Sequence, residues 1–214
     1  MKKKVLGISL VVALLAIMVG GTLAYFTAED EVTNTFTIGS VKIEVVEDFQ
    51  EPEIMVPVVN ANESDPNYIN KDASVKNIGD NDAYVQMFVA IPKALDDVGA
   101  FIVVDMNESD WTDRQFAGTA TIEEVLCNVY QYRHTEILEP GWTTSDVITA
   151  AYLAPELDYD HETNRFVMNG NVIENYIPGE SINIYVAAQA IQAAGFDGYD
   201  SALNNFTGNP WATN

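Results

Sequence analysis

The stretch AYVQMFVAIP, Ala83–Pro92, constrains the fold of this chain more than any other. Extended backbone sends successive side chains to opposite faces. Val85, Met87, Val89 and Ile91 share one face and Tyr84, Gln86, Phe88 and Ala90 the other, so apolar groups project from both. Such a segment predicts a central strand covered on each side, and Pro92, which has no N–H for a ladder, ends it. Upstream, Val75 and Ile78 lead into the turn group GDND at Gly79–Asp82, making a hairpin of the two limbs.

Short segments of the same kind recur along the chain. Phe36, Ile38, Val41, Ile43 and Val45 alternate and predict one strand, or two with a bend at Gly39 and Ser40. Residues 49–73, with three prolines and clustered Asn and Asp, predict irregular chain or a protected edge. GAFIVVDMN predicts a further strand. TATIEEVLCNVYQYRH predicts a short helix opening at Thr121, with Glu124 closing a capping box, before a Tyr-rich strand. About three more strands follow, in DVITAAYLAPELD and residues 164–196, the last spanning Ser181 to Ala190, and AAGFDGYDSALNNF predicts one or two helical turns. The crossover helices that parallel strands require are missing, so the chain is all-β, a two-sheet antiparallel sandwich with short helices in its connections.

The first residues obey a different logic. Lys2, Lys3 and Lys4 precede an apolar run from Val5 to Val19, followed by Gly20, Gly21, Thr22 and Ala24. That is the order of a secretory signal, and the run falls short of the roughly 20 residues of a membrane-spanning helix. Cleavage after Ala24, leaving Tyr25 first, is the expectation, with a retained anchor as the alternative. The chain has 10 Lys and Arg against 32 Asp and Glu, a net charge of −22, and loss of residues 1–24 with their three lysines takes it to −25. Nucleic acid and anionic bilayers would repel such a surface. After processing no stable membrane span is expected, and a single compact domain fits the remaining length. Cys127 is the only cysteine, which excludes an internal disulfide and suits a buried, inert thiol.

Catalytic signals are thin. His134 and His161 are the only histidines, and HETNR at His161–Arg165 places Arg165 where a zinc-binding HExxH helix needs its second histidine. A serine triad would have to recruit His134 or His161 in space. No catalytic, cofactor-binding or metal residue is therefore assigned. The acidic stretches Asn60–Asn67, Gly79–Ala83, Glu156–Glu162 and Phe196–Asp200 read first as solvated loops. Calcium, whose hard oxygen ligands they offer, is the one cofactor kept in view, though none follows an EF-hand loop. Asn62, Asn107 and Asn205 match the short glycan-acceptor pattern.

If Tyr25 heads the mature chain, the segment to Phe36 either completes its own sheet or lies along the open edge of a neighbouring copy, with Tyr25, Phe26, Val32 and Phe36 as its anchors. The local pattern leaves both open. The N-terminal run, with LG, GGT and AYFT followed by Asn34, Phe36, Thr37, Gly39 and Val41, resembles the signal region and first strand of the TasA/camelysin family. VKNIGDNDAYVQMFVAIP and IPGESINIYVAAQAIQAAGF are similar to its next strand pair and closing strand, while residues from about Asp96 to Met168 find no counterpart. The resemblance implies a jelly-roll domain, processing at Ala24–Tyr25 by a SipW-type signal peptidase, and an extracellular location in a matrix or surface filament. It also implies donation of Tyr25–Phe36 to the next subunit of a homo-polymer, a biofilm fibre or bundling pilus, with a minor or anchoring subunit as a further partner. The expected organisation is a signal over 1–24, a donor segment over 25–36 and one jelly-roll domain over 37–214. A monomeric adhesion module and a secreted metal-dependent hydrolase stand as alternatives; the metalloprotease description of the camelysin branch has no zinc motif here to support it.

Overall fold

The computed structural model describes residues 41–49, 55–106, 108–174, 182–206 and 208–212. All lie in one compact unit, Gly39–Asn214. The expected signal, its cleavage pair Ala24 and Tyr25, and the donor residues Phe26, Val32 and Phe36 fall outside the described residues.

The strands are β1 (Ile43–Phe49), β2 (Ile69–Asn77), β3 (Ala83–Pro92), β4 (Phe101–Asp105), β5 (Gln115–Ile122), β6 (Val125–Arg133), β7 (Ile148–Leu153), β8 (Leu157–Asp160), β9 (Arg165–Met168), β10 (Asn171–Val172) and β11 (Tyr185–Gln192). Among the described residues there are two short helices, α1 (Lys93–Asp96) between β3 and β4 and α2 (Tyr199–Leu203) after β11. One sheet runs β1-β2-β7-β4 and the other β11-β3-β6-β5, every pairing antiparallel. The all-β sandwich is thus borne out. A small third sheet, β10-β9-β8, takes β8 and β9 from the end of the stretch in which no family counterpart is recognised, and β10 from just beyond it.

The double-sided strand is central, as its pattern dictates. Every residue of β3 is buried. Val85, Met87, Val89 and Ile91 enter the core between the sheets, against Ala73 and Val75 of β2, Phe101 and Val103 of β4, and Ile148, Ala151 and Leu153 of β7. Phe88 and Ala90 project the other way, onto Ala120, Cys127 and Val129, with Trp211 packed against them. Tyr84 meets Ala193 and the α2 residues Ala202 and Leu203. The C-terminal residues thereby supply the second cover that a free sheet face would lack.

Three local expectations are corrected. The limbs on either side of Gly79–Asp82 make no hairpin: β2 pairs with β1 and β7 while β3 pairs with β11 and β6, so this turn carries the chain from one sheet to the other. Thr121–Glu124 forms no helix: β5 and β6 make a hairpin in which Thr121 pairs with Leu126 and Ile122 with Val125. Glu123 and Glu124 form the turn at φ 48° and 70°, the left-handed geometry that matches strand twist in two-residue hairpins. Strand pairing on both sides outweighs a capping pattern worth about 1 kcal/mol. The closing strand runs Tyr185–Gln192 rather than from Ser181 to Ala190, in register from Tyr185 opposite Ala90 to Gln192 opposite Ala83. It begins where β3 nears Pro92, which offers no N–H to extend the ladder.

Candidate assembly site

A sandwich of two open sheets has two borders, and here they differ. At one, β4 and β5 face each other and both edges are blunted. Arg114 donates from Nη2 to the Val103 carbonyl (2.8 Å) and from Nε to the Tyr132 hydroxyl (2.8 Å) and Asp105 Oδ1 (3.1 Å). Its guanidinium also lies 5.0 Å from the centre of the Tyr130 ring. Burial opposes the Arg114 charge, but the Asp105 carboxylate outweighs it and raises the pKa further above its ordinary value. Burial likewise drives the Tyr132 phenol far up, so it serves as a donor, to Asp105 at 2.6 Å. On β5 the register slips between Phe116 and Gly118, whose φ of 106° marks a bulge, a common device for protecting edges.

At the other border lie β1 and β11, which contact each other. β11 is a regular strand of eight residues with no slip against β3. Among the described residues no strand pairs with its far edge. All eight residues are only half-buried, whereas Val85, Met87 and Val89 on the neighbouring strand are fully buried. The inward side chains Val186, Ala188 and Ala190 are small and pack against the core. On the outer face Gln131 donates to Gln86 (2.7 Å) and Gln86 to Gln189 (2.6 Å), a ladder that ties β11 to β3 and β6.

β1 guards its own edge with charge. Glu44 stands opposite Lys76, Glu47 pairs with the buried Lys71, and Asp48 stands opposite Asp72. Burial raises the Asp72 pKa, and the charges of Asp146 and Asp48 raise it further.

The two histidines do not assemble a nucleophile. His134, buried beneath Trp111, directs Nδ1 at the Glu136 carbonyl (2.8 Å) and Nε2 at Asp110 (3.2 Å). Ser145 donates to the same Asp110 carboxylate (2.7 Å) rather than to the imidazole. Serine and histidine therefore share one acceptor, and the base–nucleophile bond of a triad is absent from the pair. Burial would raise the Asp110 pKa, but the hydrogen bonds from Ser145, its own backbone and His134 hold it below the usual carboxylate range. The cluster pins the end of β6 to the segment before β7. It was invisible in the sequence because Asp110 and Ser145 lie 35 positions apart with no shared motif.

His161 sits in the turn between β8 and β9, its ring 4.6 Å from that of Tyr159, and Arg165 opens β9 opposite Asp160. Among the described residues no group of three His, Cys, Asp or Glu is placed to hold a metal ion. The described residues thus present no zinc-ligand set. The acidic stretches use carboxylates locally: Asp65 accepts N–H bonds from Val59 (2.7 Å), Asn60 (3.0 Å) and Asn67 (3.0 Å), and Asp160, which ends strand β8 rather than lying in the expected loop, accepts from Glu162 (2.8 Å) and the Thr163 hydroxyl (2.7 Å). Asp200 pairs with Arg133 at 3.1 Å. Cys127 is buried, as expected, and burial pushes its thiol up to about 11.

Fold and borders define an antiparallel sandwich protein with one protected border and, at the other, a regular strand whose far edge no strand pairs among the described residues. The chain matches the family described as camelysin metallo-endopeptidase over residues 1–129, and it belongs to that family, the TasA/camelysin family. Comparison with curated proteins returns no match. At the level of the family the chain is a secreted or cell-surface protein of structural or biofilm-related character.

Proposed function

We propose that this protein is a non-enzymatic subunit of an extracellular fibre or pilus, built by donation of Tyr25–Phe36 to the next copy after cleavage between Ala24 and Tyr25. The observation that carries it is the β11 border, an uninterrupted strand with half-buried inward residues and no neighbour on its far edge among the described residues. A donated strand would satisfy the ladder groups of that edge and place Tyr25, Phe26, Val32 or Phe36 beside the small Ala188 and Ala190. Such pairing is heterologous and propagates without closing. Cleavage then acts as the switch, because it frees the donor. The family description supports a peptidase as the rival, but the described residues offer no metal-ligand set to carry one.

The test is electron microscopy of purified mature protein beside a variant lacking Tyr25–Thr35. Filaments from the first alone are expected, and equal filaments from both would refute strand donation. The large negative charge opposes association, so acid or millimolar calcium should promote assembly, read as turbidity. Unchanged turbidity under both conditions would contradict that part.

A further inference from the structure

Asn77, the last residue of β2, is fully buried and organises one end of the sandwich. Its amide donates to the carbonyls of Asn81 (2.8 Å) and Leu138 (2.9 Å), and its Oδ1 accepts from the Gly79 N–H (3.0 Å). Its backbone N–H reaches the Trp142 carbonyl (2.9 Å), and its carbonyl accepts from Gly141 (2.8 Å). Ala83 and Leu138 exchange a further pair of backbone bonds, at 3.1 and 2.8 Å. One buried side chain thus locks the β2–β3 turn to the loop before β7. Loops held this firmly lose little entropy when something binds them.

What the locked loops present is unusual for a surface so acidic. Trp142 is 65% exposed, Ile137 46% and Ile78 39%, all on segments tied to Asn77 or its partner Leu138. Scattered apolar residues need no explanation, but three carried on loops tied to one buried amide, an exposed tryptophan among them, have the composition of an interface hot spot. The rim is acidic, with Glu136 and Glu139 exposed on the same loop.

The occupant follows from where the chain enters. The Ile78 N–H donates to the Lys42 carbonyl (2.8 Å), and Ile43 stands opposite Asn77, so the described chain begins at this end of the sandwich, with Lys42 next to Ile78. We infer that Trp142, Ile137 and Ile78 dock against the body of the next copy of this chain. The inference rests on the proposed donation of Tyr25–Phe36: a leading segment seated in a neighbour brings that neighbour to the place the segment leaves. Strand donation supplies the tether, and this patch supplies a second contact that fixes the angle between subunits. With the tether in place the contact forms at high effective concentration, so a small apolar area suffices.

The experiment uses mature protein carrying its full N-terminus. Hydroxyl-radical footprinting before and after assembly should show Trp142 and Ile137 labelled in dilute monomer and protected in filaments. The variant Trp142→Ser with Ile137→Asn should keep its far-ultraviolet circular dichroism and raise the critical concentration for assembly by about tenfold or more. Filaments in which Trp142 stays fully labelled, or an unchanged critical concentration, would overturn the docking surface and leave strand donation standing. Failure of the unaltered protein to assemble at any pH or calcium level would overturn both. A variant that no longer folds would be replaced by Trp142→Phe with Ile137→Val, for which a smaller rise is expected and no change counts against the inference.

Discussion

Replacing Asp105 by Asn isolates the contribution of charge at the protected border. The substitution keeps the shape and one oxygen acceptor, yet removes the only carboxylate shown bonding to both Arg114 and the Tyr132 hydroxyl. The side chains of Arg114 and Asp105 are 24% and 23% exposed, so neither charge is fully hydrated and neither is fully dry. Removing one partner of a fully buried pair costs about 3–5 kcal/mol, and an exposed pair loses about 0–1 kcal/mol. Three-quarters burial with two N–H donors on one carboxylate places Asp105→Asn near the middle, at about 2 kcal/mol of lost stability. Urea unfolding followed by tryptophan fluorescence would read this as a lower midpoint at constant slope. The double variant Asp105→Leu with Arg114→Met should recover part of the loss, since an apolar pair leaves no stranded charge. A single-variant loss below about 0.5 kcal/mol, or a double variant no better than the single, would refute the view that Arg114 depends on Asp105.

Glu124→Gly should stabilise the domain by about 0.5–1 kcal/mol in the same assay, because glycine relieves the strain of φ 70° at some cost in unfolded-chain entropy. Asp72→Asn should stabilise at neutral pH: the folded state raises this pKa, so the ionised form is disfavoured above it, and the advantage should vanish as pH falls below the ordinary carboxylate value of 3.8. Stability curves for the two proteins that stay parallel across that range would contradict the assignment. Cys127 should resist thiol reagents at pH 8 in the native protein and react once urea unfolds it, with rapid native labelling as the contrary result.

What the sequence made legible is what lies within a single segment. The two-faced pattern of Ala83–Pro92 foretold both a central position and a second cover, and Trp211 with Leu203 supplies part of that cover. The open border was legible as far as a closing strand, although the ladder with β3 moved its start to Tyr185. Thr121–Glu124 misled because an acceptor followed three residues later by a carboxylate suits a helix start and a hairpin turn alike, and pairing partners decided between them. Arg114 at the blunted border, Asp110 with Ser145, and Asn77 as a hub of two loops depend on contacts across distant positions, which no periodicity encodes. Tyr25, Phe26, Val32 and Phe36 lie outside the described residues, and the proposed donor role is read from their sequence.

The late arrival of the cover over Phe88 and Ala90 bears on timing. β3 emerges early in synthesis, but the cover over its outward Tyr84 waits for Ala193 and Leu203, Trp211 reaches the Phe88 cluster later still, and one of its two strand neighbours is β11. Pairings this distant along the chain form slowly. A polypeptide arranged in this order completes the packing around β3 late, after β11 and the residues capping Tyr84 and Phe88 have joined it.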